Sequence, residues 1–229
     1  METRTKLGDF PFLTRDEFEH CIERFRAQYT TANSRLDIGT ASGSFGRQYL
    51  TIGQTLAQAA CAERSIDIDI DEVGGSLEDP DPLEQHRQRD GHSFRAQGLV
   101  VEYHVVFSRS WRVPVVYVRV LNEAQETVLD VGRVYDLLVG GDPVMREAMQ
   151  SVEFGGALGI QDHPELGTPY LYLHPCHTAT LLRAVAAAPD VEIDSRNYLS
   201  AFLSLVGPAV GLTLPAIADP AAGGAIARA

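Results

Sequence analysis

Apolar residues along the chain change period in a way that separates helices from strands. Phe18, Cys21, Ile22, Phe25 and Tyr29 recur at helical spacing, which predicts an amphipathic helix with Cys21 on its buried stripe. Just before it, Leu13-Thr14-Arg15-Asp16-Glu17-Phe18 has the form of a helix start, with Thr14 as N-cap, Glu17 closing a capping box and Leu13 stapled against Phe18. From Leu99 the period becomes two. Leu99, Val101, Tyr103, Val105 and Phe107 share one face of a strand, Val113, Val115, Tyr117, Arg119 and Leu121 one face of the next, and residues 108–112 close them into a hairpin. Valines on the opposite faces too predict a pair central to its sheet, with Pro114 tolerated at a strand start. Between Gln48 and Ala62 the pattern is ambiguous, since Tyr49, Leu50 and Ile52 suit a strand while residues 56–61 suit a helix.

Val131, Val134, Tyr135 and Leu138 predict a short helix ended by Gly140-Gly141-Asp142-Pro143, and residues 153–167 read as a glycine-rich loop. A third alternating strand, Tyr170 to His174, follows. Two helices come next, one carrying Leu181, Leu182 and Val185 and closed by Pro189, the other carrying Leu199, Phe202, Leu203 and Val206 and closed by Gly207-Pro208. Helix, hairpin, strand and two helices is the order of an α+β domain whose helices are segregated from an antiparallel sheet. No internal repeat interrupts it.

The 229 residues suit a single domain, 1–229, with a core that needs no disulfide staple. Cys21, Cys61 and Cys176 are too few and too unevenly spaced for a disulfide framework. With no signal peptide and no apolar run of bilayer length, a soluble cytoplasmic protein without stable membrane insertion is expected. The formal charge of -12 argues against nucleic acid as a partner. That charge is uneven. Residues 63–90 hold ten acidic and three basic side chains, so 3 - 10 = -7 of it lies there. With the prolines and glycines around them, these charges predict a flexible acidic insertion near 64–95, and the Ala/Gly/Pro-rich tail from Ala216 is expected to fray. Asp67, Asp69, Asp71 and Glu78 match EF-hand positions one, three, five and twelve, but Glu72 stands where that loop's sharp turn needs Gly, so a solvated loop is the better reading.

The chemistry is concentrated in Tyr170-Leu-Tyr-Leu-His-Pro-Cys-His-Thr178. Tyr170, Tyr172 and His174 share a strand face, Pro175 stops the ladder, and Cys176 then falls beside two imidazoles at the start of a helix. Amide dipoles and a neighbouring imidazolium favour thiolate there, the form that acts as nucleophile. A buried structural thiol is the commoner fate of a cysteine, but a Pro- and His-flanked strand-to-helix turn is not a core pattern. A metal site of His174, Cys176 and His177 lacks a fourth ligand.

Four motifs carry a resemblance: residues 102–117 (EYHVVFSRSWRVPVVY), 163–167 (HPELG), 173–178 (LHPCHT) and 203–215 (LSLVGPAVGLTLP). In this order they resemble the autophagy-related protein ten family of E2-like enzymes. The resemblance implies a ubiquitin-conjugating core, an antiparallel meander sheet backed by helices. It implies a transferase in which Cys176 takes a modifier, autophagy-related protein twelve, from an activating enzyme, autophagy-related protein seven, and passes it to a lysine of autophagy-related protein five. No cofactor or metal is implied. Thr178 two residues after the cysteine distinguishes the motif from the H-P-C-x-H pattern of the sister enzyme that conjugates lipid, and Cys176 itself argues against a silent binding module of the same fold. Ordinary ubiquitin-conjugating enzymes have Asn after His-Pro, where this chain has Cys176. The expected active-site neighbours are therefore His174, His177, Thr178 and Trp111, the last replacing a family tyrosine, with backbone amides of residues 176–178 as further oxyanion donors. Thr178 is also expected to cap the turn.

Overall fold

The computed structural model describes residues 5–30, 36–43, 46–56, 99–122, 126–139, 158–189 and 191–215. Its first helix, α1 (Arg15–Thr30), begins where the sequence signals it. The Thr14 amide donates to Glu17 Oε2 at 2.8 Å and the Glu17 amide to Thr14 Oγ1 at 3.2 Å, so the capping box satisfies two amides that the helix itself leaves unpaired. Leu13 and Phe18 are both fully buried beside it. Glu17 also accepts the Gly8 amide at 2.8 Å, tying the preceding segment to the helix.

Seven strands among the described residues form one antiparallel sheet: β1 (Leu36–Ser42), β2 (Gln48–Leu56), β3 (Leu99–Phe107), β4 (Pro114–Leu121), the short β5 (Thr127–Val128), β6 (Leu158–Asp162) and β7 (Pro169–Leu173). The order is β1-β2-β3-β4-β7-β6, with β5 on the far end of β4. Helices α2 (Val131–Val139), α3 (Thr178–Ala186) and α4 (Tyr198–Val206) complete the fold. The hairpin of β3 and β4 is central, Tyr103 opposite Val118, which is why valine is needed on both of its faces. One face packs Leu50, Ile52, Val101, Tyr103, Val105, Val116, Val118 and Leu171 against α1 and α4. The other holds a smaller cluster of Tyr49, Val106, Val115, Tyr117 and Tyr170.

The ambiguous segment from Gln48 resolves as strand to Leu56. The glycine-rich loop expected over 153–167 is corrected in part: residues 158–162 are the edge strand β6. Gly159 sits opposite Tyr172, and a Cβ there would lie 2.9 Å from the tyrosine ring. Glycine is thus required by a close approach within a strand rather than by a loop. Cys61, the acidic segment, its EF-hand-like aspartates, residues 140–157 and the tail from Ala216 lie outside the described residues. No helix of the described residues is long and apolar enough to cross a membrane.

Candidate active site

Strand β7 ends at Leu173, and His174 follows in an extended conformation. A single 3-10 turn, Pro175–His177, then leads directly into α3. Proline at the first position of that turn costs nothing, because the amide it lacks would have no partner there. Cys176 is exposed at this junction. Its amide donates to His174 Nδ1 at 3.2 Å, so the neutral imidazole carries its proton on Nε2. His174 is thus both aimed by β7 and fixed by the residue it flanks. The other cysteine described, Cys21, is buried on α1, and burial, with Glu17 and Asp194 nearby, pushes its thiol up to about 12. It is an inert packing group.

The capping role expected of Thr178 belongs instead to His174. Thr178 is buried, and its amide donates to the Pro175 carbonyl, closing the 3-10 turn. His177 is half-buried at the N-cap of α3, with no side-chain cap bond.

Trp111 reaches the site from the β3–β4 hairpin. Its indole meets the His174 ring edge-on, centroids 5.3 Å apart at 80°. The hairpin tip is held by the Ser108 hydroxyl accepting the Trp111 amide and by Arg112, whose φ of 56 lies in the left-handed region. The Arg112 carbonyl accepts the Leu13 amide at 2.8 Å and its guanidinium pairs with Asp9 at 3.0 Å. The α1 approach segment therefore sets where Trp111 stands. A cavity of about 110 Å³ opens in front of His174 between Trp111, Tyr117, Gln161 and Tyr172, with Tyr172 6.2 Å from the His174 ring and stacked on Tyr117.

Behind those tyrosines lies a pair that sequence reasoning did not single out. His104 on β3 and His163 in the β6–β7 turn are buried, with His104 Nδ1 and His163 Nε2 3.1 Å apart. His163 Nδ1 accepts the Glu165 amide, so its Nε2 carries the proton and donates to His104. Burial pushes both imidazoles down to about 4, helped by Arg119 at His104 and by His104 and then Arg119 at His163. The pair pins the turn at 163–168 onto the sheet. The only signal was His104 interrupting an otherwise apolar strand and His163 opening the HPELG motif.

Among the described residues no group of three or more His, Cys, Asp or Glu is arranged to hold a metal. The family model described as "Autophagocytosis associated protein, active-site domain" matches residues 16–217. The chain belongs to that family. A human relative named Ubiquitin-like-conjugating enzyme ATG10 is 35% identical over 117 residues, 50% of either chain. A relative of the same name from Gibberella zeae is 26% identical across 91% of this chain and 97% of its own. The chain thus spans about half the length of the human relative and nearly all of the fungal one. A crystal structure described as the autophagic E2 Atg10 overlays with a TM-score of 0.46 at 12% identity, covering 89% of this chain and 99% of that chain. Both of these relatives carry the name of a ubiquitin-like-conjugating enzyme.

Proposed function

We propose that Cys176 carries a ubiquitin-like modifier as a thioester and hands it to a lysine of an acceptor protein. The thiolate attacks the carbonyl of the modifier bound to an activating enzyme, whose own thiolate leaves. The acceptor amine then attacks the Cys176 thioester, loses a proton and expels the Cys176 thiolate, leaving an isopeptide bond. By the resemblance of its motifs, the modifier is autophagy-related protein twelve, the activating enzyme autophagy-related protein seven and the acceptor autophagy-related protein five, meeting in the cytoplasm. ATP is consumed by the activating enzyme, so transfer through Cys176 needs no cofactor. The chain works as one domain, with the acidic segment as an insertion outside the catalytic core.

The observation that carries this reading is the exposed Cys176 in the 3-10 turn that leads into α3, with its amide held by His174. Each passage of the acyl group goes through a tetrahedral oxyanion, which needs donors aimed at it. His174 Nε2–H serves as one donor, braced by Trp111. Thr178 keeps the turn closed and His177 flanks the thiol. The test is mass spectrometry of the protein mixed with activating enzyme, modifier and ATP. A thiol-cleavable adduct is expected on Cys176 and none on the Cys176→Ala variant. An adduct of the same mass on that variant would refute the assignment.

A further inference from the structure

Beyond the small cavity before His174 lies a larger one of about 610 Å³. The two share Ser108, Ser110, Val115, Tyr117 and Gln161, so they form one groove that ends at His174 and Pro175. Its far part is lined by Arg15 from the start of α1, Arg47 from the approach to β2 and Arg109 from the hairpin tip. Against these three cations the lining supplies one carboxylate, Glu165, 3.5 Å from Arg47. Arg15 pairs with Glu19 through Nε at 3.0 Å, but its Nη2 is enclosed with no acceptor. Arg109 is exposed. In a chain of net charge -12, a cationic groove leading to the thiol is a local exception.

We infer that this groove receives the acceptor protein, binding a segment that carries acidic side chains beside the target lysine. The inference rests on the thioester reading above. Two protein segments come to Cys176 in that reaction, and charge and tethering choose between them. The modifier is held covalently once loaded, whereas the acceptor has no tether and depends on non-covalent contacts for its selection. A lysine presented alone would meet this cationic lining, with Arg109 exposed in it, unfavourably; a lysine flanked by carboxylates would not. The serines of the hairpin tip offer hydroxyls to the passing backbone, and the Trp111 end guides the lysine stem to the carbonyl.

The experiment compares discharge of the preloaded full-length protein onto the acceptor protein and onto free lysine, which has no flanking segment. Arg109→Glu, at an exposed tip that does not bear on folding, is expected to lower the ratio of acceptor to free-lysine discharge by about three- to tenfold. The loss should appear in KM, and raising the salt should reproduce it in the unaltered enzyme. Changing the acceptor's acidic neighbours to lysine should impair the unaltered enzyme and be relieved by Arg109→Glu. A ratio left unchanged by Arg109→Glu and by Arg15→Gln, on protein that forms the thioester, would overturn the groove assignment alone. Parallel losses in loading and in both discharges would overturn it too, by assigning the groove to the modifier. Failure of the unaltered protein to form any thioester would remove the functional reading and this inference together.

Discussion

The Cys176 amide donates to His174 Nδ1 and the Thr178 amide to the Pro175 carbonyl, so two of the three backbone donors that the sequence suggests for an oxyanion are already engaged. On the proposed thioester mechanism, the work then falls to His174 Nε2–H. Losing an oxyanion donor typically costs about a hundredfold to a thousandfold in rate, so His174→Ala should slow discharge of a preloaded thioester by about a hundredfold and loading by less. Trp111 touches that ring, so on the same mechanism its effect would pass through His174. An edge-on aromatic contact contributes about 0.5–1.5 kcal/mol, so Trp111→Ala should slow discharge by about two- to tenfold. Single-turnover discharge at fixed pH measures both. Equal rates for His174→Ala and the unaltered protein, with folding intact, would leave catalysis to Cys176 and the remaining amides. Thr178→Ala tests the corrected role: because the buried threonine is not a side-chain cap, the loss should follow packing and appear in thermal stability.

At the scale of elements, the legible parts were those whose signal is local. Thr14 and Glu17 mark the start of α1 because a capping box is written within four residues, and Val101 to Val120 mark the central hairpin because both of its strands alternate. Glu17→Ala should cost about 1–2 kcal/mol in chemical denaturation, since Glu17 holds the amides of Thr14 and Gly8 together. Strand β6 was not legible because the need for Gly159 arises from Tyr172, a residue on another strand. The His104–His163 contact was hidden for the same reason, as its partners are 59 positions apart. This pair makes a pH-dependent element of the β6–β7 turn. It faces Tyr49, Tyr117 and Tyr170, with Arg119 paired to Glu102 at 2.9 Å on the same face and Glu165 in the turn itself. Free imidazole titrates near 6.5, whereas the folded pair titrates at about 4. Between those values the unfolded chain binds more protons, so stability falls as pH drops through that window and is fully present above it. Melting temperature should decline from pH 7 to pH 5, and the slope should flatten in His104→Gln. A slope unchanged by that substitution would remove the pair as its cause.

For the whole molecule, charge and topology lead to one more expectation. Strands β2 and β3 are antiparallel neighbours whose ends, Leu56 and Leu99, lie opposite each other. Those ends can be joined by a short turn, yet residues 57–98 intervene, and 63–90 carry -7 of the -12 charge. The thiol lies at the other end of the sheet, where Phe107 pairs with Pro114 beside the Trp111 hairpin. Replacing residues 63–90 by a brief Gly/Ser linker should therefore leave the β2–β3 ladder and thioester formation at Cys176 intact. Closing a smaller loop costs less chain entropy, by about 0.6 kcal/mol for each halving of its length, and the remaining charge of -12 - (-7) = -5 repels itself less. The shortened protein should thus melt at or slightly above the temperature of the full chain and load modifier at the same rate, read by thermal denaturation and by intact mass. A protein that fails to fold, or that folds and no longer loads, would make the acidic segment part of the conjugating core and end its description as an insertion.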